Sequence, residues 1–159
     1  HNLMGSRHAG VCIGSEMSGG VRNVFVEDCR METVSSALYF KANLDRGGVV
    51  EHVRARRIHV EKVRSGLVWF ETDYHGWRGG AFPPTFRDYV LEDLHCVEAT
   101  GYGIQIEGDP GSPIRDVVVR RATVERARDS WLLRHAENIR FEEVSIGGEL
   151  APTIPTPST

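Results

Sequence analysis

Four short apolar segments carry polar side chains at matching places: ALYFK over 37–41, LVWFE over 67–71, GIQIE over 103–107 and SWLLR over 130–134. Alternation turns Leu38 and Phe40, Val68 and Phe70, Ile104 and Ile106, Trp131 and Leu133 to one side. The other side then carries Tyr39 and Lys41, Trp69 and Glu71, Gln105 and Glu107, Leu132 and Arg134. Aromatic rings beside ammonium, carboxylate and amide groups suit a sugar, which offers apolar ring faces and hydroxyl edges. Tyr74, His75 and Trp77, just after Asp73, are placed to wall the same groove. If the segments are neighbouring strands, the Glu71 and Glu107 carboxyls lie about 5 Å apart, close to the spacing that cleaves a glycosidic bond with retention. Like charges that close raise one pKa. The competing reading is a solvated face on which Lys41–Glu71 and Glu107–Arg134 are plain ion pairs. Because those cations flank both acids, Glu71 and Glu107 are expected to contact a ligand rather than to act as an acid pair.

The elements that must hold this row come from an internal repeat. Five segments align without gaps: VRNVFVEDCRM from Val21, VEHVRARRIHV from Val50, FRDYVLEDLHC from Phe86, IRDVVVRRATV from Ile114 and AENIRFEEVSI from Ala136. Each reads as a strand with one buried face. Apolar columns run through Val24, Val53, Tyr89, Val117 and Ile139, and through Val26, Ala55, Leu91, Val119 and Phe141. Two more run through Cys29, Ile58, Leu94, Ala122 and Val144, and through Met31, Val60, Cys96, Val124 and Ile146, so Cys29 and Cys96 read as core. A polar column of Asn23, His52, Asp88, Asp116 and Asn138 reads as the corner entering each strand, since Asn and Asp accept turn geometry. The fold expected is all-β: a single-stranded right-handed parallel β-helix of about five coils, a solenoid. The composition cues of β-propeller blades and the Leu/Asn pattern of leucine-rich repeats do not occur.

Bulk properties remove several function classes. The 159 residues carry a formal net charge of -3, which gives no basic footprint for nucleic acid. No apolar run has the length of a membrane helix, and no signal peptide opens the sequence. Three cysteines, at 12, 29 and 96, with no CxxC pair, argue for free thiols. The seven histidines lack metal-ligand spacing such as HExxH, so neither a metal nor a cofactor is expected. Glycine-rich turns such as Gly101 to Gly103 read as strand-flanking loops.

The segment from His8 to Val24, HAGVCIGSEMSGGVRNV, resembles the Gly-His-Gly segment of polygalacturonases, glycoside hydrolase family 28. The family's Gly-Ser-Glu and Gly-Gly-Val follow at Gly14 and Gly19, and ALYFK occupies the place of its Arg-Ile-Lys motif. The Pro83-Pro84 approach, the strand from Tyr102 to Gly108 and the Ser112-Pro113-Ile114 turn are also similar to bacterial members. The resemblance implies inverting hydrolysis of α-1,4 galacturonan by aspartates, with His8 in the supporting histidine role and Lys41 on the sugar carboxylate. Departures accompany it. Arg7 and Ala9 flank the histidine, Tyr39 replaces the arginine, and the family's Asn-Thr-Asp and Asp-Asp motifs do not occur in the sequence.

The resemblance therefore implies the C-terminal portion of a pectinase-like enzyme, inactive alone. Residues 1–150 would form a β-helix truncated at its N-terminal end, and 151–159 a Pro/Thr-rich tail. The substrate-binding set is Lys41, Tyr39, Trp69, Glu71, Gln105 and Glu107, and the partner a pectic or related polysaccharide. An open N-terminal end would favour homo-oligomers, and the family implies a secreted or periplasmic setting. The alternative is a non-catalytic carbohydrate-binding or structural β-helix protein.

Overall fold

A computed structural model of the chain describes residues 2–3, 8–74 and 81–155. It is all-β, with no helix among the described residues. Ten strands run in order: β1 Asn2–Leu3, β2 Val11–Ile13, β3 Val21–Val34, β4 Leu38–Lys41, β5 Val49–Val63, β6 Val68–Glu71, β7 Thr85–Glu107, β8 Ile114–Arg134, β9 Ala136–Ile146 and β10 Glu149–Leu150. One ladder joins β1, β3, β5, β7, β8 and β9 in parallel. A second joins β2, β4, β6 and the later part of β7, which pairs onward with the end of β8. A mostly parallel sheet in which each segment pairs with its counterpart one repeat away is the arrangement of a β-helix.

The aligned columns are register partners. Val24, Val53, Tyr89, Val117 and Ile139 pair in sequence, as do the three columns that follow them. Burial follows: Val53, Tyr89 and Val117 are fully covered, and Phe40, Phe70 and Tyr89 form a ring cluster with centroids 4.7–5.0 Å apart. Burying one such side chain contributes about 1.5–3 kcal/mol. The first repeat is less covered, with Val11, Ile13, Val21, Val24, Val26 and Cys29 only partly buried. Cys96 is core as expected, whereas Cys29 is half-exposed because it lies in that first repeat.

Two corners bend each repeat, where one was expected. Asn23, His52, Asp88, Asp116 and Asn138 all have φ between 51° and 61°, so the polar column is a left-handed bend. Five residues later Asp28, Arg57, Asp93, Arg121 and Glu143 do the same, with φ from 49° to 57°. Neither column takes part in the ladders. A left-handed residue costs an L-amino acid roughly 1–2 kcal/mol, least for Asn and Asp. Apolar residues at 24 and 26, then at 29 and 31, step out of period two, and that change of phase is the signature of the second bend.

Gly101 and Gly103 lie inside β7, not in flanking loops. A Cβ on Gly101 would stand 2.5 Å from the Ser65 carbonyl oxygen, and one on Gly103 2.8 Å from that of Ser130. Both glycines are therefore required by the close approach of neighbouring backbones. Residues 149–153 lie across the last repeat: β10 pairs antiparallel with β9, and the Phe141 and Ala151 amides donate to the Thr153 and Val144 carbonyls. Edge coverage of this kind blocks further strand pairing.

Candidate functional site

The row read from the alternation exists as a register column. Cys12, Tyr39, Trp69, Gln105 and Leu132 pair in order, and beside them Lys41, Glu71, Glu107 and Arg134. The fully buried Phe40, Phe70 and Ile106 behind the row fix its outward direction.

Tyr39 departs from expectation. It points outward yet is only 6% exposed, because its ring stacks on Trp69 with centroids 4.4 Å apart and planes at 16°. Tyr74 meets it edge-on at 6.4 Å, and the Lys41 ammonium lies 5.2 Å from its centroid. The Tyr39 hydroxyl donates to Glu71 Oε2 at 2.6 Å. Burial, then that bond to an anion, hold the phenol well above its ordinary pKa. The Trp69 indole Nε1–H is buried without an acceptor among the described residues.

The Lys41–Glu71 ion pair is replaced by two other contacts. Lys41 Nζ sits 3.6 Å from the Tyr74 centroid as a cation–π contact, while Glu71 takes the Tyr39 hydroxyl. Glu71 is pushed above the usual carboxylate range, first by burial and also by the neighbouring Glu107 and Asp73 charges. The Tyr39 bond and Lys41 oppose that rise without cancelling it. Glu107 does pair as expected, with Arg134 Nη1 at 3.3 Å, and it also accepts from the Gln105 amide. Glu71, Asp73, Glu107, Asp109, Arg134 and His135 line an open depression of about 300 Å³ at this end of the row.

His8 is exposed and lies in the turn before β2, where its carbonyl accepts the Ser35 amide at 2.9 Å. Tyr74 walls the row as expected, whereas His75 and Trp77 lie outside the described residues. Asp73, Asp109 and His135 were not foreseen at the site. They follow or precede the aligned strands, where the repeat gives no register.

Among the relatives that align with the chain are three polygalacturonases. A probable polygalacturonase of Vitis vinifera is 23% identical over 156 residues, covering 92% of this chain and 29% of the relative. A polygalacturonase of Ralstonia nicotianae is 33% identical over 90 residues, 54% of this chain and 17% of the relative. An endo-polygalacturonase of Pectobacterium parmentieri is 33% identical over 105 residues, 64% and 25%. The chain is a relative of the polygalacturonases. This polygalacturonase-like chain, related to glycoside hydrolase family 28, spans at most about a third of the length of the curated relatives it matches. No family model matches it.

Proposed function

We propose that this chain forms right-handed, single-stranded coils of a family 28-type parallel β-helix. In this reading residues 1–150 are the coils, 151–159 the tail, and the Tyr39–Trp69–Glu71–Gln105–Glu107 row is a face that binds pectic or related polysaccharide. The observation that carries the binding role is the Tyr39–Trp69 stack, which continues along one outward column into carboxylate and amide groups. A sugar ring can lie against the half-exposed Trp69 while its hydroxyls meet Glu71, Gln105 and Glu107. Lys41 and His8 hold the places of the family's sugar-carboxylate and supporting groups.

Binding without cleavage is the expected behaviour of these 159 residues. The family's aspartate motifs do not occur in the sequence, and groups that act as a unit fail together. Glu71 and Glu107 do not replace them: one is tied to Tyr39, the other to Arg134 and Gln105.

Calorimetry with pectic oligosaccharides, alongside a reducing-end assay on polygalacturonate, tests both parts. Saturable binding without product is expected, and Trp69→Ala should weaken it about tenfold, or about 1.4 kcal/mol. No binding to any pectic oligomer would leave a structural role alone. Clear turnover by residues 1–159 would overturn the need for the aspartates.

A further inference from the structure

His59 on β5 and His95 on β7 are 36 residues apart in sequence and direct register partners in the sheet. Their Nδ1 atoms stand 3.0 Å apart, with ring centroids at 4.8 Å and planes at 16°. On the far side of each ring, His59 Nε2 meets Glu61 Oε1 at 2.9 Å and His95 Nε2 meets Glu125 Oε1 at 2.9 Å.

These three distances constrain the protons. An ionised carboxylate only accepts hydrogen bonds, so each Nε2 carries a hydrogen. A neutral imidazole has one N–H, which leaves a lone pair on each Nδ1. Two lone pairs at 3.0 Å repel unless a cation is shared between them. That cation is a proton or a metal ion.

We propose that the Nδ1 atoms of His59 and His95 form a binding site for a divalent transition metal of the zinc class. At Zn–N bonds of about 2.0–2.1 Å, two nitrogens on one ion lie roughly 3.3–3.4 Å apart at the tetrahedral angle and roughly 2.8–3.0 Å apart at a right angle, so the observed 3.0 Å matches an N–Zn–N angle closed toward about 90°. Metal-bound histidines characteristically donate their other ring N–H to a carboxylate, which fixes ring orientation and raises ligand basicity. Glu61 and Glu125 are placed to do this for both rings. The side chains of His59 and His95 are 32% and 38% exposed, so the ion and its waters have access.

The site is limited to two protein ligands. Among the described residues no group of three His, Cys, Asp or Glu side chains could hold a metal, so water completes the shell and binding is weaker than at a four-ligand structural site. The charged groups facing the pair are Glu61 on β5, Glu125 on β8 and, from β3, Arg30, which lies 3.3 Å from Glu61. Beside His95 on β8 stands the neutral Thr123. Metal and proton compete for the same Nδ1 lone pairs, so affinity strengthens as pH rises.

The test is calorimetric titration of the untagged, chelator-stripped chain with zinc chloride alone. At about pH 7.5 roughly one ion per chain should bind, with weaker binding at about pH 5.5. His59→Ala and His95→Ala should each lower the affinity at least about tenfold. Glu125→Gln, which keeps both rings, should lower it roughly tenfold through the lost outer contact. Nδ1 resonances of both histidines should shift on addition of zinc. No saturable binding by the unaltered chain would overturn the site and leave a shared proton, and so would binding that both histidine variants leave unchanged.

Discussion

Two outward faces of the same coils handle charge in opposite ways. On the face between the two bends, columns alternate in sign: Glu27, Arg56, Glu92, Arg120 and Glu142, with Asp28, Arg57, Asp93, Arg121 and Glu143 beside them. The arginines close on the acids at 2.6–3.0 Å, pairing the first repeat with the second and the third with the fourth. Arginine hydrogen bonds hold Glu27, Asp28, Glu92 and Asp93 below the usual carboxylate range. On the aromatic face Glu71 stacks on Glu107, a like charge, and is pushed the other way. Stacked parallel strands place every column at strand spacing, so the charges that share a column set which neighbouring side chains are able to pair.

The change with the largest effect on this contrast reaches both faces through the core. Phe70 is fully buried between Phe40 and Tyr89, directly behind Trp69 and Glu71. Phe70→Ala should cost about 3–5 kcal/mol in denaturant unfolding and abolish oligosaccharide binding with it.

A middle-sized effect separates the faces by the sign of their pH dependence. Glu71 has a raised folded-state pKa, so its contribution to stability is present below the ordinary value of 4.5 and is lost as pH rises through the folded value. Glu92 has a depressed one, so its contribution is present above 4.5 and is lost as pH falls through the folded value. Glu71→Gln should therefore gain stability relative to the parent as pH rises above about 4.5 toward 7, and Glu92→Gln should lose it as pH rises toward about 4.5 from roughly 3. Urea midpoints across that range check this, and parallel curves for the two variants would erase the distinction.

The smallest effect belongs to the exposed ladder. Arg121→Gln should shift the urea midpoint only slightly, with the shift fading in high salt and carbohydrate binding unchanged, because exposed ion pairs are screened and contribute little. A loss of binding in Arg121→Gln would mean that the proposed ligand face extends past the bend.

Much of this was legible in the repeat. The apolar columns and the Asn23-to-Asn138 corner follow from one gapless alignment, and the row containing Tyr39, Trp69 and Glu71 from matching the short segments that follow it. The second bend was legible in the step from Val26 to Cys29 but was hidden by its mixed residue types, Asp, Arg and Glu. The His59–His95 pair also shares an alignment column, though local spacing rules such as HExxH never compare residues 36 apart.

The sequence by itself determined which residues are neighbours, because in a stack of parallel strands aligned positions of successive repeats lie at strand spacing whatever the length of the loops between them. The tertiary structure decided which neighbour each side chain chose. Lys41 turned to the Tyr74 ring, Tyr39 was covered by Trp69 and donated its hydroxyl hydrogen bond to Glu71, and the arginines closed on alternate gaps. Those choices depend on rotamers and on the loop after Glu71, and neither repeats along the chain.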